Sequence, residues 1–294
     1  MSEALLPVET VGQENDWHWN STLVIGLVVF GIIVGIAVFA PFIAGHDPYA
    51  QDIGNRMVPP VWHHYFFGSA KAGWAHPLGT DKLGRDYWAR LAYGAQISLS
   101  IGIASILLSG LIGTILGVLA GYFGGWLDQA INLAISARLS VPIILIALAI
   151  VSLFSSSFIV VIFVLGFLLW DRFAVVVRSA TMQARSADYV AAARAAGCSN
   201  QWVIVREILP NIYDSLIIVA AVEMAHAILL ESALSFLGLG VKPPLPSWGL
   251  MLSDGKDQIF FSPWMITMPG VAIFALVLSI NLIGDGVRHA VSRN

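Results

Sequence analysis

The sequence is poor in charged residues and almost without cysteine. Asp, Glu, Lys and Arg make up 11% of the 294 residues, less than half of the roughly 25% that is usual in soluble domains. With 57% hydrophobic residues and a mean hydropathy of +0.80, the composition predicts a polytopic membrane protein. The net charge of −3 gives no reason to expect nucleic-acid binding. The single cysteine, Cys198, excludes an intramolecular disulfide framework and a multi-cysteine metal cluster.

Several signatures of enzymes are also missing. The chain has no HExxH or GxGD protease pattern and no GxxxxGK[ST] phosphate-binding loop. We therefore predict no catalytic residue in this chain and no nucleotide bound by it in the P-loop manner. His63 and His64, with His76 nearby, lack the i,i+4 spacing of helical metal ligands, and no cysteine or carboxylate cluster flanks them at ligand spacing. We predict no metal site there.

Six stretches are long and apolar enough to cross a membrane, which takes about 20 residues. We predict an all-α fold with spans at about 22–43, 97–122, 130–154, 158–177, 216–237 and 264–284. Arg138 and Pro142 in the third span predict a kink or a face towards a polar lumen. The first twenty residues contain no Lys or Arg, so we expect the first span to be an uncleaved anchor.

An even number of spans places both termini on one side of the membrane. The short tails 1–21 and 291–294 and the loop 178–213 then share that side. The loops 45–96 and 238–263 lie opposite. Lys and Arg are almost evenly divided between the two sides, so the positive-inside rule does not decide which side is cytoplasmic.

The segment 189–211, YVAAARAAGCSNQWVIVREILPN, is a water-compatible insert between two spans. A helical run ends at Gly197, Ser199 or Asn200 can cap a second short helix, and Pro210 closes it. A rigid helix–turn–helix in this position predicts that a partner docks on it from the adjacent aqueous phase.

Ionisable residues in the fifth span, Glu223, His226 and Glu231, need polar surroundings. Such groups cost about 2.5–3.5 kcal/mol each on the insertion scale. On a helix of 3.6 residues per turn all three border one polar sector. Two interpretations stay open, namely a wet translocation path and hydrogen bonds between helices, for example to Arg138 or Arg172.

Turn-rich segments flank the second, fifth and sixth spans. In 76–94 two glycines allow tight turns and three charged residues, Asp81, Arg85 and Asp86, are placed to pair; a structural knot is favoured over a direct substrate contact. In 231–252 three prolines favour a re-entrant or gate-lining loop, with Trp248 at the membrane interface. Gly284 and Gly286 predict the end of the sixth span.

These segments together resemble one family. The insert 189–211 is similar to the cytoplasmic "EAA" loop of bacterial ATP-binding-cassette importer permeases. GTDKLGRD (79–86), SFLGLGVKPPLPSWGLML (235–252) and NLIGDGVR (281–288) resemble the C-type permease of dipeptide and oligopeptide importers. The resemblance covers about residues 22–290. It implies the type I importer permease fold, with six transmembrane helices, a cytoplasmic coupling helix and a periplasmic loop-rich cap.

The resemblance and the residue-level reasoning together assign three groups of site residues. The ATPase-coupling residues are Tyr189, Ala191, Ala192, Ala193, Gly197, Glu207, Leu209 and Pro210. The candidates for the translocation path are Arg138, Glu223, His226 and Glu231. The candidates for a periplasmic gate or docking site are Asp81, Arg85, Asp86 and Trp248. Ala191 stands where the family usually has Glu, and Glu207 where it often has His, so one polar contact to the ATPase is in question.

The resemblance also implies partners, location and function. It implies a homologous B-type permease, two subunits that bind ATP and magnesium, and an extracytoplasmic solute-binding protein. It places the chain in the bacterial inner membrane with both termini cytoplasmic. The expected function is half of an alternating-access path for di- or oligopeptides. The same machinery with a nickel chelate, glutathione, an opine or a sugar is the alternative, followed by a stand-alone channel or secondary carrier.

Overall fold

The structure is a computed structural model that describes residues 21–154 and 156–291. Apart from Ser21 and Val291, the predicted tails 1–21 and 291–294 lie outside the described residues. Within these, the chain is helical, with one isolated antiparallel bridge between Thr80 and Asp86. The helices are α1 Ser21–Ile43, α2 Trp62–Phe67, α3 Tyr87–Phe123, α4 Gly125–Leu139, α5 Ile143–Phe154, α6 Phe158–Leu168, α7 Trp170–Arg185, α8 Asp188–Ala195, α9 Asn200–Val203, α10 Leu209–Asn211, α11 Tyr213–Phe236, α12 Trp248–Gly255 and α13 Trp264–Val291. A π-helical segment, Ile204–Ile208, joins α9 to α10.

Five of the six predicted spans correspond to helical stretches long and apolar enough to cross a membrane, one of which consists of two consecutive helices. These are α1, α3, α6 with α7, α11 and α13. The remaining one, the third predicted span at 130–154, corresponds to the helices α4 and α5, which are bent by 83° relative to each other. The kink expected at Pro142 is confirmed, because helix α4 ends at Leu139 and α5 starts directly after the proline.

Helix α3 begins ten residues earlier than the predicted start of the second span at 97. Its first turn is capped by Asp86, whose Oδ1 accepts a hydrogen bond from the Ala89 amide at 2.7 Å. Hydropathy missed this part because Arg90 and Gln96 lie in it, although both are held within the protein. The predicted loop 45–96 therefore ends at Asp86. Helix α7 likewise continues to Arg185, beyond the predicted end at 177.

Small residues let α3 and α7 pack with their backbones close together. Gly113, Gly117 and Gly121 recur every four residues on α3 and face α7. A β-carbon at Gly117 would lie 2.8 Å from the Ala174 carbonyl oxygen. This small-xxx-small pattern is the common way in which membrane helices approach closely. Helix α3 also contacts α1, α6 and α11, so it is central to the fold.

We expect Gly117→Val to lower the stability of the chain by about 1–3 kcal/mol, because overpacking forces α3 and α7 apart. The matched control is Gly35→Val on α1, where an added β-carbon meets nothing within 4 Å. Thermal unfolding of the purified, detergent-solubilised variants measures both. Equal midpoints for the two variants would contradict the close packing of α3 on α7.

Helix α13 runs through the two glycines that were expected to end it, so that prediction is wrong. Gly286 faces α1 instead, where an added β-carbon would lie 2.6 Å from the Leu23 Cβ. Gly26 of α1 in turn faces α13, where an added β-carbon would lie 2.9 Å from the Leu282 Cβ. The glycines serve the contact between the first and last spans, which a single-helix pattern does not reveal.

Candidate coupling and translocation sites

The insert at 189–211 folds as two helical segments joined by a tight turn at Gly197. Gly197 has φ +84°, and the amides of Gly197 and Cys198 bond the carbonyls of Arg194 (3.0 Å) and Ala193 (3.1 Å). This is the Schellman arrangement that ends a helix on a left-handed glycine. Ser199 Oγ accepts a hydrogen bond from the Trp202 amide at 3.3 Å and caps the second segment, as predicted.

The second segment does not end at Pro210, which corrects the expectation. The chain stays helical through Ile204–Ile208 in π geometry and then through Leu209–Asn211. Proline is tolerated in the first turn of a helix, because its missing N–H would have no partner there. The helical path is interrupted at Ile212, which has φ −103° and ψ 0°.

The insert is anchored on the ends of α3 and α7. Three of its apolar side chains, Val190, Val203 and Ile208, are buried in one cluster with residues of both helices, and Ile212 directly after the insert joins them. Tyr122 of α3 donates a hydrogen bond to Asn200 Oδ1 at 2.9 Å, and the Arg194 guanidinium lies 4.9 Å from the Tyr122 ring centroid. Movement of the insert is therefore tied to movement of these spans.

The outer side of the insert is exposed, and small or apolar side chains lie there beside polar ones such as Gln201 and Arg206. Ala191, Ala192 and Gly197 are exposed, with Trp202 (44%) and Val205 (58%) on the second segment. The remaining coupling candidates are Tyr189 and Pro210, both exposed, and Ala193, Glu207 and Leu209, all half-buried. We name the exposed group Ala191, Ala192, Gly197, Trp202 and Val205 the coupling surface. Its small first half permits close approach of another protein.

The polar residues of α11 fall into two separate environments. Glu223 lies 3.5 Å from Arg172 Nε of α7 and 3.2 Å from His226 Nδ1. Glu231 is fully buried and accepts a hydrogen bond from Ser235 Oγ at 2.7 Å. The Ser235 Oγ in turn accepts a hydrogen bond from the Val241 amide at 3.2 Å, which fixes the start of the loop after α11.

A further ion pair connects the bent span to α7. Arg138 donates two hydrogen bonds to the Leu168 carbonyl oxygen, at 2.9 and 2.6 Å, and lies 3.6 Å from Asp171. Asp171 and Arg172 are adjacent in sequence, so this pair and the Glu223 pair form one polar layer across α4, α7 and α11. Asp171 was missed in the sequence because it falls at the interruption between α6 and α7. The side chains of Arg172 (59%) and His226 (43%) are partly exposed, so the layer has an accessible side.

The segment 79–86 forms a buried ionic knot at the start of α3. Asp81 Oδ2 accepts hydrogen bonds from Arg85 Nε (2.7 Å) and Arg90 Nη1 (2.9 Å). Asp254 lies 3.4 Å from Arg90 Nη2 and 3.8 Å from Arg85 Nη2. Arg90 is 1% exposed. Burial raises the pKa of the Asp254 carboxyl, and the nearby Arg85 guanidinium opposes that shift.

Of the three charged residues that were placed to pair, Asp81 and Arg85 do so within the knot, whereas Asp86 caps α3 and faces His76. Gly84 (φ +75°) has no room for a side chain, since a β-carbon would overlap the Asp52 carbonyl. The roles of Arg90 and Asp254 in the knot were not predicted. Arg90 lies nine residues after Asp81 and 164 residues before Asp254, so no local pattern links the three. Trp248, expected at the membrane interface, is buried within the protein, and its depth in the membrane stays a prediction. Its ring is 3% exposed, packs on Gly94, and donates to the Leu91 carbonyl at 2.9 Å.

Comparison with known proteins gives two matching family profiles. The family described as "Binding-protein-dependent transport system inner membrane component" matches residues 113–294. The family described as "N-terminal TM domain of oligopeptide transport permease C" matches residues 20–60. The two matches do not overlap.

Individual relatives cover most of the chain. The dipeptide transport system permease protein DppC of Escherichia coli K12 is 40% identical over 287 residues, which are 97% of this chain and 94% of the relative. The di/tripeptide transport system permease protein DppC of Pseudomonas aeruginosa UCBPP-PA14 is 38% identical over 266 residues, 90% and 86% of the two chains. Inward-facing MetNI methionine ABC transporter is a structural neighbour, with a TM-score of 0.56 and 17% identity over 68% of this chain and 95% of that chain.

Proposed function

The chain belongs to the family of binding-protein-dependent transport system inner membrane components, and from this premise we propose that it forms half of the import path for di- or oligopeptides. It is a multi-pass permease subunit of an ATP-binding-cassette importer with the type I fold. It resides in the inner membrane and works with an ATPase. The single observation that carries the peptide cargo is 40% identity, over 97% of the chain, with a dipeptide permease.

The coupling surface is the proposed contact for the ATPase. Small exposed side chains at Ala191 and Ala192 permit a helix to seat closely in a groove of the partner. Because Val190, Val203 and Ile208 bury the other side against α3 and α7, a rigid displacement of the insert tilts these spans. The contact then relies on shape and apolar packing, since Ala191 offers no carboxylate.

This contact sets the proposed orientation. With the coupling surface in the cytoplasm, both termini are cytoplasmic and the knot 79–86 lies on the outer face. There, a solute-binding protein delivers cargo. A homologous B-type permease supplies the second half of the path. ATP and magnesium are held by two ATP-binding subunits, and this chain contributes no hydrolytic residue.

The polar layer around Glu223 is the proposed wall of the path. Arg172 and His226 have accessible side chains, while Glu223 beside them is buried. A zwitterionic peptide offers both a carboxylate and an ammonium group to such a layer. Glu231 is left out of the path, because its partner is Ser235 and its surroundings are buried.

Reconstitution tests this function directly. We expect the chain to purify as a stable complex with its ATPase subunits, and the ATPase rate of that complex to rise when dipeptide-loaded binding protein is added. A rise with nickel chelates, glutathione, opines or sugars in place of peptides would reassign the cargo and leave the importer mechanism in place. Transport by the purified single chain without ATPase would refute the importer and favour a channel or secondary carrier.

A further inference from the structure

Two histidines and a carboxylate meet beside the ionic knot, His76 and Asp86 from the segment 76–94 and His46 from thirty residues before it. His46 follows α1, His76 lies in the loop before the knot, and Asp86 caps α3. Asp86 Oδ2 lies 2.8 Å from His76 Nδ1 and 3.7 Å from His46 Nδ1. The two imidazole ring centroids are 5.0 Å apart. We propose that His46, His76 and Asp86 bind a divalent transition-metal ion such as Zn²⁺ or Ni²⁺.

The distances suit an ion placed between the three groups. Zinc bonds histidine nitrogen at about 2.0–2.1 Å and carboxylate oxygen at about 2.0–2.2 Å. At tetrahedral angles, two such ligand atoms lie about 3.3 Å apart, which falls between the two observed N–O distances. One potential ligand atom from each of the three residues lies within 4.8 Å of those of the other two. Ångström-scale side-chain shifts therefore complete the site without movement of the backbone.

The carboxylate is already oriented for this role. Asp86 Oδ1 is occupied by the Ala89 amide at 2.7 Å, which fixes the side chain and turns Oδ2 towards the histidines. Asp86 is almost fully buried, whereas His46 is 49% exposed. An ion can thus enter from the His46 side and meet a preset anionic ligand. Hydrogen-bonded support of a ligating carboxylate is a usual feature of metal sites.

The surrounding charge favours a cation. The three residues line a pocket of about 250 Å³ together with Asp47, Gln51 and Asp52. Among the described residues, no Lys or Arg lines this pocket. The open side leaves room for water or another ligand at the fourth position. Two imidazoles and one carboxylate suit Zn²⁺, Ni²⁺ or Cu²⁺, whereas Ca²⁺ and Mg²⁺ prefer oxygen ligands.

The sequence did not predict this site, because His46 and His76 are thirty residues apart and the adjacent pair His63 and His64 is the more prominent histidine cluster. The His63 ring packs 4.9 Å from both Phe67 and Trp264, measured between ring centroids, and His64 Nδ1 lies 3.2 Å from the Ser69 carbonyl oxygen. His76 instead meets His46, thirty residues earlier. Binding at this site would connect the end of the first span to the start of the second.

Metal titration of the purified full-length chain tests the proposal independently of transport. We expect one Zn²⁺ per chain by isothermal calorimetry, with binding weakened at least tenfold by His46→Ala and by His76→Ala. We expect His64→Ala, the matched control, to bind as the wild type does. His46 is a surface residue, so its replacement leaves the fold intact even where His76→Ala does not. Added Co²⁺ is expected to give visible absorption bands of a nitrogen–oxygen site that are lost in His46→Ala.

Three results would overturn the metal site. They are no Zn²⁺ binding to the wild type, unchanged binding in His46→Ala, and an equal loss in His64→Ala. A tenfold excess of Mg²⁺ is expected not to displace the ion, and displacement by Mg²⁺ would also argue against the nitrogen ligands.

Discussion

Asp81→Ala is expected to destabilise the chain by about 3–5 kcal/mol, the usual cost of removing one partner from a buried ion pair. The carboxylate accepts four hydrogen bonds, from the Leu83 and Arg85 amides and from the Arg85 and Arg90 guanidiniums. Without it, Arg90 stays buried, and Asp254 at 3.4 Å is its one remaining ion-pair partner among the described residues. The free energy lost is therefore mainly the cost of an uncompensated buried charge.

A surface ion pair in the same segment provides the control. Lys82 lies 3.4 Å from Asp257, and both side chains are partly or largely exposed. We expect Lys82→Ala to change stability by no more than about 1 kcal/mol. Thermal unfolding of the purified variants compares the two. If Asp81→Ala unfolds at the same temperature as Lys82→Ala, the knot does not fix the entry into α3.

Gly197→Val is expected to abolish peptide uptake by the reconstituted importer and to uncouple its ATPase from substrate. Gly197 has φ +84°, a left-handed conformation that costs roughly 1–2 kcal/mol for a residue with a β-carbon and more for a β-branched one. No atom of the described residues lies within 4 Å of a β-carbon added at Gly197, so the effect comes from the backbone and not from a clash. Relief of that strain reorients α8 relative to the second segment and distorts the coupling surface.

The control for this prediction changes the side chain but keeps the turn. Asparagine tolerates the left-handed region far better than valine does, so Gly197→Asn is expected to retain most uptake. Both variants are compared for uptake, for substrate-stimulated ATPase activity and for recovery of the complex. Normal uptake by Gly197→Val would contradict the coupling role. Equal losses in both variants would mean that the partner requires glycine for space.

Local patterns predicted the membrane spans and the coupling turn. Hydropathy over about 20 residues locates a span, because each residue's transfer energy is nearly independent of its distant neighbours. The kink at Pro142 and the Gly197 turn follow from the φ/ψ limits of single residues. The coupling residues themselves stay predictions, since they rest on the family resemblance and on exposure.

The boundaries and the roles of isolated residues needed the folded chain. The first ten residues of α3 contain Arg90, which a hydropathy window treats as soluble, but which Asp81 and Asp254 neutralise. Gly286 suggests a helix end until Leu23 of the first span is seen against it. Trp248 suggests a side chain exposed at the interface until Gly94 provides the space that buries it.

The sequence by itself determined that this protein is a helical membrane permease with five or six spans and a rigid helical insert at 189–211. These features depend on short-range chemistry, namely transfer energy, helix capping and backbone sterics. Only the tertiary structure decided which charges neutralise one another and which histidines meet. Pairs such as His46 with His76 and Arg90 with Asp254 are far apart along the chain. Their contact depends on how the helices pack, which no local pattern encodes.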